Sequence, residues 1–354
     1  MSVVHHVGHF VSFGIGGNDK NSLSIIRGQV EAGCKVKMFY NEWSIPKPVA
    51  GNHSADYVPV SRQSQFAELG QLIKIDSVAD FAKHNIQILH THRSGEDNWL
   101  LPNFESTPFP FRVIETNFHG SRYTKADVRC YPSLSLMNAR GIKEDAHNRI
   151  VPNAIDKPRS TEDLRDELGL QNKFVYGRIA RADRDIYCNL NLRAYAQIET
   201  EDTVFLYVAP FEQARVDAAA LGIKNIIWLP PELDLIRLSK IYNTFDIVCH
   251  SNGIGETFGN TIAEAMMHGK PVISHDAGTT WPQAHKDLFG ARHDLFRGPN
   301  DVEGYARVMG QMRDQAFRNE AAKYLKDGAE LYYGYKQVAQ QYLGIYEMML
   351  AKII

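Results

Sequence analysis

Short apolar runs alternate with longer stretches of helical periodicity along most of this 354-residue chain. "VVHHV" (3–7) reads as a strand, and the glycine-rich turn "FGIGGNDKN" follows it. Leu23, Ile26 and Val30 then fall on one helical face, with Gly33 as a stop signal. "KVKMFY" (35–40), "IQILH" (86–90), "RVIET" (112–116) and "VRCY" (128–131) are further strand candidates. The pattern breaks at "RIVPNAIDKPR" (149–159), where Pro, Asn and Asp mark a linker or a domain entry. Alternation then restarts more regularly. Strands are expected at 173–177, 203–208, 225–229, 245–250 and 270–274, with helices at 188–199, 211–221, 234–243 and 258–268. The tail from about 303 is helical and ends in a segment rich in aromatic and aliphatic residues. Strands separated by helices at these spacings imply parallel βαβ units with right-handed crossovers. Two doubly wound α/β domains in tandem are therefore expected, with a ligand between them at the carboxyl ends of the strands.

Composition changes this picture little. The apolar fraction of 44% and charged fraction of 23% suit a globular protein, and the length suits two domains. The net charge of −2, without a block of one sign, argues against broad capture of nucleic acid. Cys34, Cys130, Cys188 and Cys249 have no metal-ligand spacing and are too sparse for a disulfide framework. Buried thiols in a reducing compartment are the expectation. The N-terminal stretch lacks a basic region followed by a long apolar one, and no run approaches the length of a spanning helix. A cytoplasmic location follows. Peripheral membrane contact and the oligomeric state stay open.

The chemistry concentrates in residues 251–274. "SNGIGET" is a loop with two glycines. Thr257 is placed to cap a helix that runs "FGNTIAEAMMHG" and closes at Gly269. Glu256 then stands just before the helix, and Glu264 about two turns into it, roughly 12 Å along the axis. The amides of Phe258, Gly259 and Asn260 lie between them and point outward with the positive end of the helix dipole. Such an end holds phosphate, and a glycine there allows close approach. Carboxylates on either side repel a bare phosphate but accept hydrogen bonds from hydroxyls. The arrangement suits a diphosphate flanked by two sugars.

"GETFGNTIAEAMMHGKPVIS" resembles the nucleotide-sugar signature of the retaining glycosyltransferases of family 4, which have the GT-B fold. Glu256, Phe258, Gly259, Glu264, Gly269, Pro271 and Val272 all match it. The resemblance implies two Rossmann-like doubly wound domains facing across a cleft. Residues 1–152 would bind the acceptor, 153–335 the nucleotide sugar, and a helix over 336–354 would pack back on the first domain. It also implies that Glu256 touches the donor sugar, that Glu264 binds the ribose, and that the amides around Thr257 to Asn260 hold the diphosphate or sugar. "FGIGGNDKN" is similar to the family's first glycine-rich turn, where Gly16 and Gly17 would line donor phosphates or the acceptor site. "IVPNAID" resembles the family's entry to its second domain, with Ala154 in place of glycine. In "YGRIARADRD", Arg178 matches the family's diphosphate-binding arginine. No lysine follows, so Arg181 or Arg184 would take the second cationic place.

The resemblance further places His119, in "VIETNFHGSR", where its backbone or ring faces the sugar. His119, Glu256 and Arg178 are the catalytic candidates. "HTHRSGEDNW" (90–99) gathers His90, His92, Arg93, Glu96 and Asp97, with His92 and Arg93 as acceptor contacts. His90 and His92 could begin a metal site, but no third ligand has suitable spacing, and no Asp-x-Asp motif lies in a fitting place. The expected activity is transfer of a hexosyl or pentosyl group from a UDP- or GDP-sugar to a hydroxyl of a glycan, lipid-linked sugar or other acceptor. It would proceed with retention, without metal or cofactor, under domain closure. The other readings are a non-catalytic nucleotide-sugar or glycan binder on the same fold, and an epimerase or phosphorylase of similar architecture. A glycosidase is disfavoured because Glu256 and Glu264 are poorly placed to flank one bond. A dinucleotide dehydrogenase lacks its glycine fingerprint.

Overall fold

A computed structural model describes residues 5–14, 16–46, 61–93, 100–121 and 125–353. Val3 and Val4 of the first expected strand, Ile15 of the glycine turn, and Glu96 and Asp97 lie outside the described residues. The chain divides into two compact units, one running to Ile155 and resuming at Tyr332, the other covering Asp156–Leu331.

The first unit is built on a seven-stranded sheet. Its strands are β1 (His6–Phe10), β2 (Lys35–Tyr40), β3 (Gln71–Lys74), β4 (Ile88–Arg93), β5 (Arg112–Asn117), β6 (Val128–Tyr131) and β7 (Asn148–Ile150). Every pairing is parallel, in the order β3-β2-β1-β4-β5-β6-β7. Helices α1 (Gly17–Glu31), α2 (Gln63–Ala67) and α3 (Leu134–Ala139) belong to this unit. Leu23 and Ile26 of α1 are buried with Val11, Phe13, Met38 and Phe66, so the apolar face read from the sequence meets the sheet. Gly33, at φ +92°, follows the helix in the left-handed conformation that favours glycine.

The second unit carries a six-stranded sheet of β8 (Phe174–Ile179), β9 (Thr203–Val208), β10 (Ile226–Leu229), β11 (Ile247–Cys249), β12 (Val272–His275) and β13 (Phe296–Arg297). These too are all parallel, in the order β10-β9-β8-β11-β12-β13. Its helices are α4 (Arg165–Leu168), α5 (Leu190–Ile198), α6 (Glu212–Ala220), α7 (Leu235–Thr244), α8 (Asn260–Met267), α9 (Val302–Gln311) and α10 (Gln315–Tyr332). All six residues of β9 are buried, as expected of an inner parallel strand covered on both faces.

The last helix, α11 (Tyr335–Leu350), belongs to the first unit. It buries Val338, Tyr342, Ile345, Tyr346 and Met349 in a core shared with Ile25 of α1 and Ile88 of β4. Gly28 allows the two helices to meet. A Cβ there would stand 2.6 Å from Ala339 Cβ and 2.8 Å from the Tyr335 carbonyl.

The sequence pattern misses three strands. β3, β7 and β13 are edge strands, half-exposed and short, so they lack a continuous apolar run. The supposed linker at 149–159 begins inside β7, where Pro152 and Asn153 follow directly and mask the strand. β1 begins at His6, inside the strand expected over 3–7, whose Val3 and Val4 lie outside the described residues.

Candidate functional site

β8 and β11 are neighbours in the second sheet, although β9 and β10 lie between them in sequence. The strand order reverses here, and the loops that leave the two carboxyl ends meet, with the Gly253 N–H donating to the Ile186 carbonyl at 3.1 Å. In an open α/β sheet this is where a ligand finds room.

Arg178, the fifth residue of β8, stands at this reversal and is only 2% exposed. Its Nη1 donates to the Cys188 carbonyl at 2.9 Å and also to Ser251 Oγ, just beyond β11. The guanidinium carbon lies 5.1 Å from the centre of the Tyr207 ring. Its Nε is buried and has no hydrogen-bond partner among the described residues. Among the described residues no carboxylate pairs with it. A buried guanidinium without counter-charge is costly, and an anionic ligand removes the deficit.

The loop after β11 is wound tightly around one side chain. Asn252 Oδ1 accepts the Ile254 and Gly255 N–H groups at 2.9 and 3.3 Å. Its Nδ2 donates to Glu256 Oε1 at 2.7 Å. Gly255 is at φ +100°, and a Cβ there would lie 2.7 Å from the Pro282 carbonyl. The Glu256 backbone is held on both sides, by its N–H to the Pro282 carbonyl and by the Ala284 N–H to its own carbonyl, both at 2.9 Å. The Glu256 side chain keeps 28% of its surface exposed. Burial raises its pKa, but the neighbouring His250 and His285 rings and the Asn252 amide outweigh burial and hold it below the ordinary glutamate range. The His250 ring reaches Glu256 at 3.4 Å and Ser274 Oγ at 2.7 Å. Glu256 is thus an ionised, oriented acceptor.

Helix α8 begins later than the sequence suggests. Gly259, not Thr257, is its N-cap, at φ +107°, and no side chain caps it. Only glycine takes this conformation without strain, and a Cβ would come within 2.9 Å of His285 Cβ. Thr257 and the buried Phe258 belong to the preceding turn. Glu264 is therefore four residues past the start of the helix, about 6 Å along its axis rather than 12 Å. Its Oε2 accepts from Tyr242 Oη at 2.9 Å, which fixes the carboxylate against α7. Asn260 is the first residue of α8. Arg181 and Arg184 lie on the exposed loop after β8, and Arg181 is 3.4 Å from Asp183. Neither shares the buried setting of Arg178. Reading the sequence did not find Asn252, His250, Ser274 or Ser251. The Asn four residues before Glu256, ahead of two glycines, was the available signal, because such a residue closes a turn with its own side chain.

In the first unit, Gly16 is the N-cap of α1, and Gly17 is its first residue. The Asp19 carboxylate folds back to accept from the Gly16 backbone. Burial raises its pKa, with Ser12, Arg62 and Gly16 pulling the other way. This helix end thus already carries a carboxyl group of its own chain. His119 is exposed in the turn after β5, and its carbonyl accepts from Arg140 Nε at 3.1 Å. Arg93 turns inward. Its Nε binds Glu115 at 3.0 Å and its Nη2 binds Glu105 at 3.4 Å, with the side chain 2% exposed. His92 faces His9, whose Nδ1 lies 3.0 Å from His92 Nε2. The sequence offered no third imidazole for His90 and His92, but parallel pairing of β1 with β4 supplies His9 from 81 residues upstream. Among the described residues no helix is long and apolar enough to cross a membrane.

The model of the family described as glycosyl transferases group 1 matches residues 174–315, from β8 through α9. No curated protein sequence matches the chain. Several solved structures share the fold. A glycosyltransferase from Rickettsia africae aligns with a TM-score of 0.74 at 16% identity, over 99% of both chains. HepE from Anabaena, solved with UDP and glucose, gives 0.71 at 15% identity, over 96% of this chain and 98% of its own. Sucrose-phosphate synthase from Thermosynechococcus elongatus gives 0.71 at 16% identity, over 98% of this chain and 100% of its own. At such identities the likeness establishes the fold, two Rossmann-like parallel-sheet domains of the GT-B type.

Proposed function

We propose that this chain is a retaining glycosyltransferase of family 4, moving a sugar from a UDP- or GDP-sugar to a hydroxyl of a glycan, lipid-linked sugar or other acceptor. Arg178 carries the reading. Its guanidinium is buried at the strand reversal, and among the described residues no carboxylate pairs with it. A nucleoside diphosphate supplies the missing charge and accepts two parallel hydrogen bonds from such a fork. Glu256, held by Asn252 on the facing loop, accepts from hydroxyls of the transferred sugar. Glu264, held by Tyr242, accepts from the ribose. The uncapped start of α8 lies between them, and its dipole favours the phosphates. The match over residues 174–315 and the Anabaena structure with UDP and glucose support the same assignment.

In the reaction the bond from the anomeric carbon to the diphosphate oxygen breaks. A bond to the acceptor oxygen forms on the same face. The acceptor proton passes to the departing phosphate oxygen. Negative charge grows on the diphosphate, where Arg178 and the α8 terminus stabilise it without a metal ion. Arg181 and Arg184, exposed on the loop after β8, are the candidates for the second cationic contact with the phosphates.

The test is a thermal-shift panel of UDP-, GDP- and ADP-sugars without magnesium, on the wild type, Glu264→Gln and Glu264→Ala. One nucleotide class should stabilise the wild type and lose most of that effect in both variants. Release of the nucleoside diphosphate with a hydroxyl acceptor then separates transfer from binding alone. If no nucleotide sugar stabilises the wild type, the donor site is misassigned.

A further inference from the structure

Three histidines meet where β1 and β4 pair, in the first unit. His9 and His90 are register partners, and His92 projects from the same face two residues further along β4. The His90 and His92 rings stack with centroids 4.2 Å apart, and His9 lies 5.0 and 5.3 Å from them. One ring nitrogen of each comes within 4.8 Å of the other two.

Their hydrogen bonds fix the protons. Gln29 Nε2 donates to Tyr346 Oη at 2.9 Å, so Gln29 Oε1 accepts from His9 Nε2 at 2.8 Å. His9 Nδ1 then bears a lone pair, and His92 Nε2–H donates to it at 3.0 Å. Tyr346 Oη donates to His90 Nδ1 at 2.7 Å, and His90 Nε2–H donates to Thr116 Oγ1 at 2.8 Å. All three imidazoles are neutral, the form that ligates metals. One atom is left over. His92 Nδ1 is buried, carries a lone pair, and has no hydrogen-bond partner among the described residues. A buried ring nitrogen left this way can be satisfied by a bound ion.

We propose that His9, His90 and His92 form a binding site for a divalent transition-metal ion of the zinc class. Bonds of about 2.0–2.1 Å in tetrahedral arrangement set ligand nitrogens about 3.3 Å apart. The His9 Nδ1 to His92 Nε2 separation of 3.0 Å is already near that value. On binding, two metal–nitrogen bonds replace this hydrogen bond. The displaced proton moves from His92 Nε2 to the empty Nδ1, so none is released. His90 gives up either Thr116 or Tyr346 to supply the third nitrogen. Gln29 keeps the His9 Nε2–H, the oxygen partner that ligating histidines ordinarily have. An all-nitrogen set selects Zn²⁺, Cu²⁺ or Ni²⁺ over Mg²⁺ and Ca²⁺.

The experiment uses the full chain without an affinity tag, stripped with chelator, loaded with ZnCl₂ and passed over a desalting column. Elemental analysis should find one equivalent of zinc per chain, undisturbed by excess Mg²⁺. Substituting Co²⁺ should give the visible absorption of a tetrahedral site. His92→Gln can still donate to His9 Nδ1, so it preserves the fold while removing a ligand. It should weaken zinc binding by about a hundredfold or more. His9→Gln should do the same. The chain has 14 histidines, so adventitious surface binding is the competing outcome. Zinc uptake equal in wild type and His92→Gln, or no retained equivalent in the wild type, overturns the site. Neither result bears on nucleotide-sugar binding in the second unit.

Discussion

Arg178→Met separates a ligand-binding arginine from a structural one. In the ligand-free chain the guanidinium donates to the Cys188 carbonyl and Ser251 Oγ and lies over Tyr207. Removing it orphans no acceptor, because Ser251 Oγ itself donates to the Cys188 carbonyl at 3.0 Å. Loss of the two hydrogen bonds and the ring contact costs about 1–3 kcal/mol for each. Relief of an unpaired buried charge returns several kcal/mol, roughly the same amount. The ligand-free variant should therefore melt within a few degrees of the wild type. The effect on a nucleoside diphosphate is one-sided. Two charge-assisted bonds are worth about 3 kcal/mol or more, so affinity falls about a hundredfold. A ligand at a hundred times its Kd adds about 2.7 kcal/mol of stability, and after a hundredfold loss only about 0.4 kcal/mol remains. At about 2–4 °C per kcal/mol for a unit of this size, a shift of about 5–11 °C shrinks to about 1 °C. The assay is thermal unfolding with and without UDP and GDP, checked by calorimetric titration. A ligand-free variant that melts more than about 6 °C lower, yet keeps the nucleotide-induced shift, refutes the reasoning and makes Arg178 structural.

Glu256→Gln should leave binding of the bare nucleoside diphosphate within about twofold and weaken the complete donor about tenfold, a split that titration with each ligand resolves. Gly259→Ala forces a side chain into φ +107° and against His285 Cβ, so it should lower stability by about 1–2 kcal/mol in urea unfolding; an unchanged midpoint would mean the turn relaxes freely. Arg93→Ala breaks a buried ion pair with Glu115 and should cost about 3–5 kcal/mol, whereas a loss of acceptor binding at full stability would return Arg93 to the acceptor. Acid should weaken the fold from the range where free histidines titrate downward. Burial lowers His9, His275 and His285 to about 4, against 6.5 for the unfolded side chain. Below pH 6.5 the unfolded chain binds more protons, so stability falls toward pH 4 by about 3 kcal/mol for each such histidine. Urea titrations at intervals from pH 7.5 to 4.5 check this, and a flat profile contradicts it.

The two units differ in how far their sites could be read from sequence, and the reason is distance along the chain. Asn252, Glu256, Gly259 and Glu264 lie within one strand–loop–helix segment, so their spacing alone places them together. The nearness of Arg178 to Ser251, and of His9 to His90, depends on which parallel strands become neighbours, and no local pattern encodes that choice. The inner strands were legible because burial on both faces makes them continuously apolar, while β3, β7 and β13 at the edges carried too little of that signal. Thr257 passed for the helix cap because its hydroxyl suits the role, whereas the left-handed turn at Gly259 depends on the packing of His285.

Two of the buried polar atoms without a hydrogen-bond partner among the described residues lie where strand order reverses. Within a run of adjacent parallel strands, crossover helices cover the sheet and water is excluded. A reversal of order sets side by side two strand ends from distant parts of the chain, which is where ligands of open α/β sheets bind. The first sheet reverses between β1 and β4, and there His92 Nδ1 keeps an unused lone pair. The second reverses between β8 and β11, and there Arg178 keeps an unused N–H. One deficit calls for a Lewis acid and the other for an anion. That difference in sign is why the same topology, used twice in one chain, points to two ligands of opposite charge.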